Sequence, residues 1–472
     1  MRRIIGFGVI WVVVACAAPE PPRIETPESW QEAESTAGVW PSQDWWQGFG
    51  SDELNQLIAT AADNNRGLKA AVARILQAEA QAKVSGAATL PSVSAGGSLS
   101  RSDTDFSNAN RPNAGATTRA QATLQASYQL DLFGQARANA ASAAARVESS
   151  LYDRETVSIT LLSDVATTYL QILAVRDRIR LAEERLKVAE DLLKLVEAQR
   201  RIGTISDLEL AQQRAAIATQ RAAIPALRVS ERQSLDALAV LLGRLPQGFD
   251  VTARTLSDIG MPAIAAGLPS ELLARRPDLR KTESDLRANG FDVAAARAAR
   301  LPSIQLTAQG GTSSGALDDL FTSGTFFNSL AASLTAPVFL GNRLEGQEQA
   351  AAARRLELIE TYRQNVLSAF RDVEDALSAA RENAVQYGFA REAHEQSLQA
   401  YRLAELRYRA GTVNFQTVLD AQRGVLQSQE ALVQSALGRF NAVIGLTQAL
   451  GGGWDGAVPE RLDLAIGLAA FQ

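Results

Sequence analysis

Arg119-Ala120-Gln121-Ala122-Thr123-Leu124-Gln125-Ala126-Ser127-Tyr128-Gln129-Leu130-Asp131-Leu132 decides the fold. Every even position is Ala, Leu or Tyr, and every odd position is polar. A period of two held over this length reads as a strand with one dry and one wet face. Just upstream, Val93, Ala95, Gly97 and Leu99 alternate with serines and Gly96. The same arrangement returns later: Ile304, Leu306 and Ala308 alternate with Ser303, Gln305, Thr307 and Gln309. Leu330, Ala332, Leu334, Ala336 and Val338 form a fourth such face. The predicted strands cover 91–101, 118–132, 302–310 and 327–338, joined in pairs by polar loops at 102–118 and 310–326.

A soluble antiparallel sheet with one wet face would share this pattern. Two observations favour a membrane barrel instead. The polar faces carry Gln, Ser and Thr more than Lys or Glu, which suits a water-filled lumen. The strands also reach the roughly ten residues that a tilted strand needs to cross a bilayer. Four strands cannot close a barrel, and an open edge in lipid leaves backbone groups unsatisfied. Several copies of the chain must therefore share one barrel, and the strands do not fix the copy number.

Outward from the strands, the chain is written twice. Leu90-Pro91-Ser92-Val93 returns as Leu301-Pro302-Ser303-Ile304, and Gly203-Thr204-Ile205 as Gly411-Thr412-Val413, at a spacing of about 210 residues. Between Gly134 and Gly203 there is no glycine or proline. Strong helix formers fill most of the interval, so it reads as one helix about 100 Å long. The second copy, from Gly346 to Gly411, is broken only by Gly388. The predicted helices are 135–202, 206–243, 343–410 and 413–448. Alanines such as Ala143 to Ala145 and Ala350 to Ala353 permit close helix approach, and Glu183–Lys187 is a candidate i,i+4 pair. The expected units are a first repeat at 51–250, a linker at 251–270, a second repeat at 271–450 and a tail at 451–472. The fold class is mostly α with a membrane β-barrel part.

Residues 1–15 have the charge and length of a signal peptide: Arg2 and Arg3, then a short apolar run from Ile4 to Val14. The run ends Val13-Val14-Ala15-Cys16, which resembles a bacterial lipobox. Cys16 is the chain's one cysteine, so no internal disulfide competes for its thiol. The expected lipid would anchor the segment 16–50 without spanning the membrane, and Ala17 in place of an acid suggests the outer membrane. The formal charge is −5 and becomes more negative once Arg2 and Arg3 are removed. That argues against a nucleic-acid partner. After Cys16 no apolar run reaches the length of a transmembrane helix.

Nothing points to catalysis or a cofactor. His394 is the single histidine, in a charged helical stretch where a surface position is expected. No Cys/His cluster, nucleophile elbow or phosphate loop occurs, and no metal site is expected. Pro277 reads as the first turn of a helix, with Asp278 well placed against its dipole. Arg276 and Asp278 are thus structural. Trp45 and Trp46 read as pins for the N-terminal segment.

Several stretches now resemble the TolC-like outer membrane factor family in its lipidated branch. They are Asp44-Trp45-Trp46 with Asp52-Glu53-Leu54, then Arg275-Arg276-Pro277-Asp278-Leu279-Arg280, and finally Tyr408-Arg409-Ala410-Gly411-Thr412 with Val418-Leu419-Asp420-Ala421-Gln422-Arg423. Their order and spacing span residues 40 to 450. The resemblance implies a homotrimer, with a 12-stranded barrel in the outer membrane and a 12-helix periplasmic tunnel. It implies two further partners, an inner-membrane efflux pump and a periplasmic adaptor gripping the helical tips at Gly203, Thr204, Gly411 and Thr412. It also implies a periplasmic gate formed by Asp420, with Gln416 one turn earlier on the same face. Asp207 is expected to latch that mouth by pairing with Tyr408 or Arg409. The expected function is a passive exit duct for drugs or other small toxic molecules. A lipid-anchored coiled-coil scaffold without a pore is the alternative, as is a protein-secretion duct of the same architecture.

Overall fold

The computed structural model describes residues 26–31, 40–102, 117–203, 205–263 and 267–457. Its element order is α1 (Asp52–Asn64), α2 (Arg66–Ala87), β1 (Ser92–Ser102), β2 (Thr117–Leu130), α3 (Gln135–Arg201) and α4 (Asp207–Leu241). The second half follows with α5 (Pro269–Arg275), α6 (Pro277–Ala298), β3 (Ser303–Ser314), β4 (Phe326–Thr335), α7 (Arg343–Arg409) and α8 (Phe415–Ala449).

The four strands form one antiparallel sheet in the order β1-β2-β3-β4. Register puts like beside like. One row reads Val93, Ala126, Ala308, Leu330; the next reads Ser94, Gln125, Gln309, Ser329. A slip of one residue would mix the two faces. Among the described residues much of the dry face is bare: Leu330 is 83 % exposed and Leu334 and Val93 are exposed with it, while Ala120 at the far end of β2 is covered.

Three strand ends differ from expectation. β2 stops at Leu130, because the Asp131 carboxylate accepts the Ala136 and Arg137 backbone N–H groups and turns the chain into α3. β4 stops at Thr335 rather than 338, since Pro337 has no N–H to give the ladder. β3 runs on to Ser314, through the glycines read as loop, because Gly310 and Gly311 keep their pairing with Leu124 and Thr123.

α3 and α7 each hold 67 residues, about 100 Å. Gly388 does not interrupt α7. The Glu183–Lys187 pair is replaced by Glu183–Arg228, one of a run of three evenly spaced Glu–Arg rungs between α3 and α4. The others are Glu190–Arg221 and Glu197–Arg214. Each rung steps seven residues on both helices, the signature of an antiparallel coiled coil. Pro277 occupies the first turn of α6 with Asp278 beside it. Arg276 is clasped by Asp278, by Asp372 and by the Ala449 carbonyl.

The main core lies midway along the helices, where Phe49, Leu54 and Ile58 meet Tyr169, Leu170 and Leu238. α3 contains one window apolar enough to cross a membrane by length and composition, and half of that window is buried within the protein. A second core gathers Trp30 and Trp40 against Leu272, Leu279 and Val366. Trp30 donates to the Gly267 carbonyl at 3.0 Å. Trp45 is buried in the main core, edge-on to both Trp46 and Phe49.

Candidate functional site

The two helical hairpins end in tips of the same design. α3 closes at Gly203 (φ 75°) and α7 at Gly411 (φ 72°), both left-handed, where a side chain would be strained. After Gly411 the Thr412 N–H returns to the Arg407 carbonyl at 2.9 Å, so the last turn is capped. α4 then restarts with a capping box between Ser206 and Glu209, and α8 with the Asn414 side chain accepting from the Thr417 N–H. Thr204 and Cys16 lie outside the described residues.

Within the chain, the tip pairings differ from those expected. Asp207 does not reach Tyr408 or Arg409. Arg200 takes it in a forked pair at 2.5 and 3.0 Å, which holds the carboxylate below its ordinary pKa. Arg409 pairs along its own helix with Glu405 at 2.5 Å. Near the tips Tyr408 links the two hairpins, its hydroxyl donating to Gln199 at 2.8 Å. Tyr408 also packs at a tilt against Phe415 with ring centres 5.3 Å apart, and burial raises its pKa. Sequence reasoning missed Arg200 and Gln199. Only the relative height of the helices, which the sequence does not state, selects them.

Asp420 lies in the second turn of α8 and is exposed. Its Oδ1 accepts from Gln416 Nε2 at 2.9 Å and from Arg423 Nη1 at 3.1 Å. Gln416 and Asp420 thus share a face as expected, and Arg423 joins them. His394, expected at the surface, is half-buried against Ser428 of α8 at 3.3 Å. Among the described residues no group of His, Cys, Asp and Glu could hold a metal ion.

The strands and the long helices follow one another side by side and leave two open sides. Beside the strands the helices follow the order α2-α3-α6-α7; toward the tips the order is α4-α3-α8-α7. Thus β1, α2 and α4 line one side and β4 and α7 the other. Both sides expose apolar side chains: Val84, Val229 and Val240 on the first, Leu356, Leu367 and Phe389 on the second. A closed barrel has no such sides, so this wall is one segment of something rounder.

The chain matches the outer membrane efflux protein family over residues 57–244 and 268–452. It belongs to that family. Among relatives of this efflux protein, the pyoverdine export outer membrane protein OpmQ of Pseudomonas putida is 40 % identical over 461 residues, covering 95 % of this chain and 97 % of its own. The outer membrane protein OprJ of Pseudomonas aeruginosa is 31 % identical, covering 95 % and 96 %. A solved structure, the open state of the outer membrane channel MtrE of Neisseria gonorrhoeae, superposes with a TM-score of 0.83 at 29 % identity. It covers 94 % of this chain and 99 % of that one. The efflux protein is therefore an outer membrane channel, its sheet in the membrane and its helices extending into the periplasm.

Proposed function

We propose that three copies of the chain close into one tube and serve as the passive exit duct of a tripartite pump. The alignment of open sides carries this reading. Sheet edge, α2–α7 edges and α4–α7 edges all face the same two ways, so one rotation satisfies every one of them. Two copies would give an eight-stranded barrel, whose interior side chains fill; three give a 12-stranded one with a lumen lined by Gln125, Gln309 and their row. An inner-membrane pump supplies the energy, and a periplasmic adaptor grips the tips at Gly203, Thr204, Gly411 and Thr412. A lipid on Cys16 tethers the segment that Trp30 and Trp40 dock onto the second core.

The cargo is a small molecule, and a pyoverdine-type compound is the first to test, since OpmQ is named for exporting pyoverdine. A pore-free scaffold has no use for a sheet that leaves apolar side chains such as Val93, Leu330 and Leu334 exposed.

At the tips, three-fold symmetry brings three Asp420 carboxylates around the axis, with Gln416 and Arg423 beside them. Such a ring narrows the mouth until the adaptor draws the hairpins apart. Asp420→Ala is expected to raise the conductance of the protein in planar bilayers. Unchanged conductance would remove Asp420 from the gate.

A further inference from the structure

On α7, Val385, Phe389, Leu403 and Leu406 lie on one line of alternating four- and three-residue steps, and all four are exposed. Phe389, beside Gly388, is 68 % exposed. The line runs on the side of α7 opposite its contact with α8, because Asn383, Tyr387, His394 and Tyr408 face that contact. Among the described residues nothing in the chain covers the line. Its middle positions are polar: Glu392, Gln396 and Gln399.

α4 carries the counterpart. Gln213, Ile217, Ile224 and Leu238 are buried on the α3 side. On the far side Leu208, Ala215, Ala218, Ala222 and Val229 form an exposed line with the same steps, and Val240 is exposed about three turns further on. A shallow hollow of about 530 Å³ opens at its upper end, between Asp164, Thr167 and Thr168 of α3 and Asp236, Ala237, Val240 and Leu241 of α4.

Ion pairs and side-chain hydrogen bonds between the helices set which residues share a level. Glu197–Arg214 to Glu183–Arg228 set α3 against α4. Arg178–Glu430 and Arg185–Gln429 set α3 against α8, and His394–Ser428 sets α8 against α7. Carried round a closed ring, Leu406 comes level with Ala215 and Leu403 with Ala218. Phe389 falls between Val229 and Ala237, and Val385 stands at the hollow. Large side chains on one helix thus meet small ones or a cavity on the other. The helix axes can close to the 8–10 Å of ordinary packing.

We infer that the joint between protomers in the lower tunnel is a knob-and-socket seam, with Val385, Phe389, Leu403 and Leu406 of one copy entering the alanine-lined stripe and hollow of α4 on the next. It rests on the ring proposed above and gives that ring its register. The seam is apolar at the tip, polar in its middle, and mixed at the hollow, where Ala237 and Val240 sit beside Asp164 and Asp236, so its grip lies chiefly at the tip. The middle, level with Pro225, holds least.

Disulfide trapping tests the register in full-length protein in membranes. Leu403→Cys with Ala218→Cys, oxidised by copper–phenanthroline, links only neighbouring copies, because the two positions lie on opposite sides of one chain. The expected result is covalent dimers and trimers that reducing agent dissolves. Ala218→Cys paired with Glu405→Cys, which faces away from the seam, should give none, and Ala218→Cys alone controls for Cys16. Native mass spectrometry of each variant separates the two ways to fail. A trimer that does not cross-link at Leu403 and Ala218, or cross-links equally at Glu405, overturns the seam and leaves the ring standing. A monomer overturns both.

Discussion

Glu53 shows how much a single carboxylate can hold here. Its oxygens accept the Thr252 and Ala253 N–H groups at 2.5 and 3.0 Å, the Thr252 hydroxyl at 2.8 Å and the Tyr169 hydroxyl at 3.0 Å. Burial alone would raise its pKa; these four donors outweigh it and bring the pKa below the ordinary value of 4.5. The sign follows by linkage. A carboxylate lowered in the folded state stabilises above its unfolded pKa, and that contribution is lost as pH falls through the folded value. Thermal unfolding followed from pH 7 downward should show this contribution held as far as the ordinary value of 4.5 and lost below it. Glu53→Gln should be less stable at neutral pH and flatter across the acid range. A variant whose pH profile parallels the parent's would show that Glu53 does not anchor the 250–256 segment. The tips teach a different lesson. The geometry of Asp207 with Arg200 and of Tyr408 with Gln199 depends on how far each helix runs before turning, and no local pattern encodes it.

At the scale of elements, Pro225 is a local conflict between sequence and helix. It sits in the interior of α4, where its ring denies the Arg221 carbonyl a partner. Pro225→Ala is expected to stabilise the hairpin by about 1–3 kcal/mol in a denaturant series. No gain would mean that α4 already bends to suit the proline. Elements with a strict period or a long glycine-free run were legible in the sequence: the strand pairs, and α3 and α7 to within a few residues. α1 and α2 were not read as helices, although Ser51 and Asn65 cap them through Leu54 and Leu68 N–H groups. They are short beside α3, and their signals are single caps rather than a sustained pattern. β3 was cut short because glycine reads as loop until a partner strand claims it. His394 was misplaced for a related reason, since burial depends on a neighbouring helix that its own stretch does not reveal.

The whole molecule is an incomplete object, and its incompleteness is informative. A soluble sheet would cover the row that ends in Leu330; here it is left bare for lipid. Leu330→Arg places a charge on that face, and near the bilayer midplane it should cost about 2–4 kcal/mol of folding stability in lipid vesicles. Equal stability in the two proteins would mean that Leu330 does not face lipid. The open sides make a stronger demand, because backbone edges at β1 and β4 cannot be left in hydrocarbon. The account therefore stands on copy number. Native mass spectrometry of the full-length protein, extracted from membranes in mild detergent, reads it directly. The account predicts a trimer whose chains begin at an acylated Cys16. A monomer would leave the sheet with two unsatisfied edges and contradict the duct.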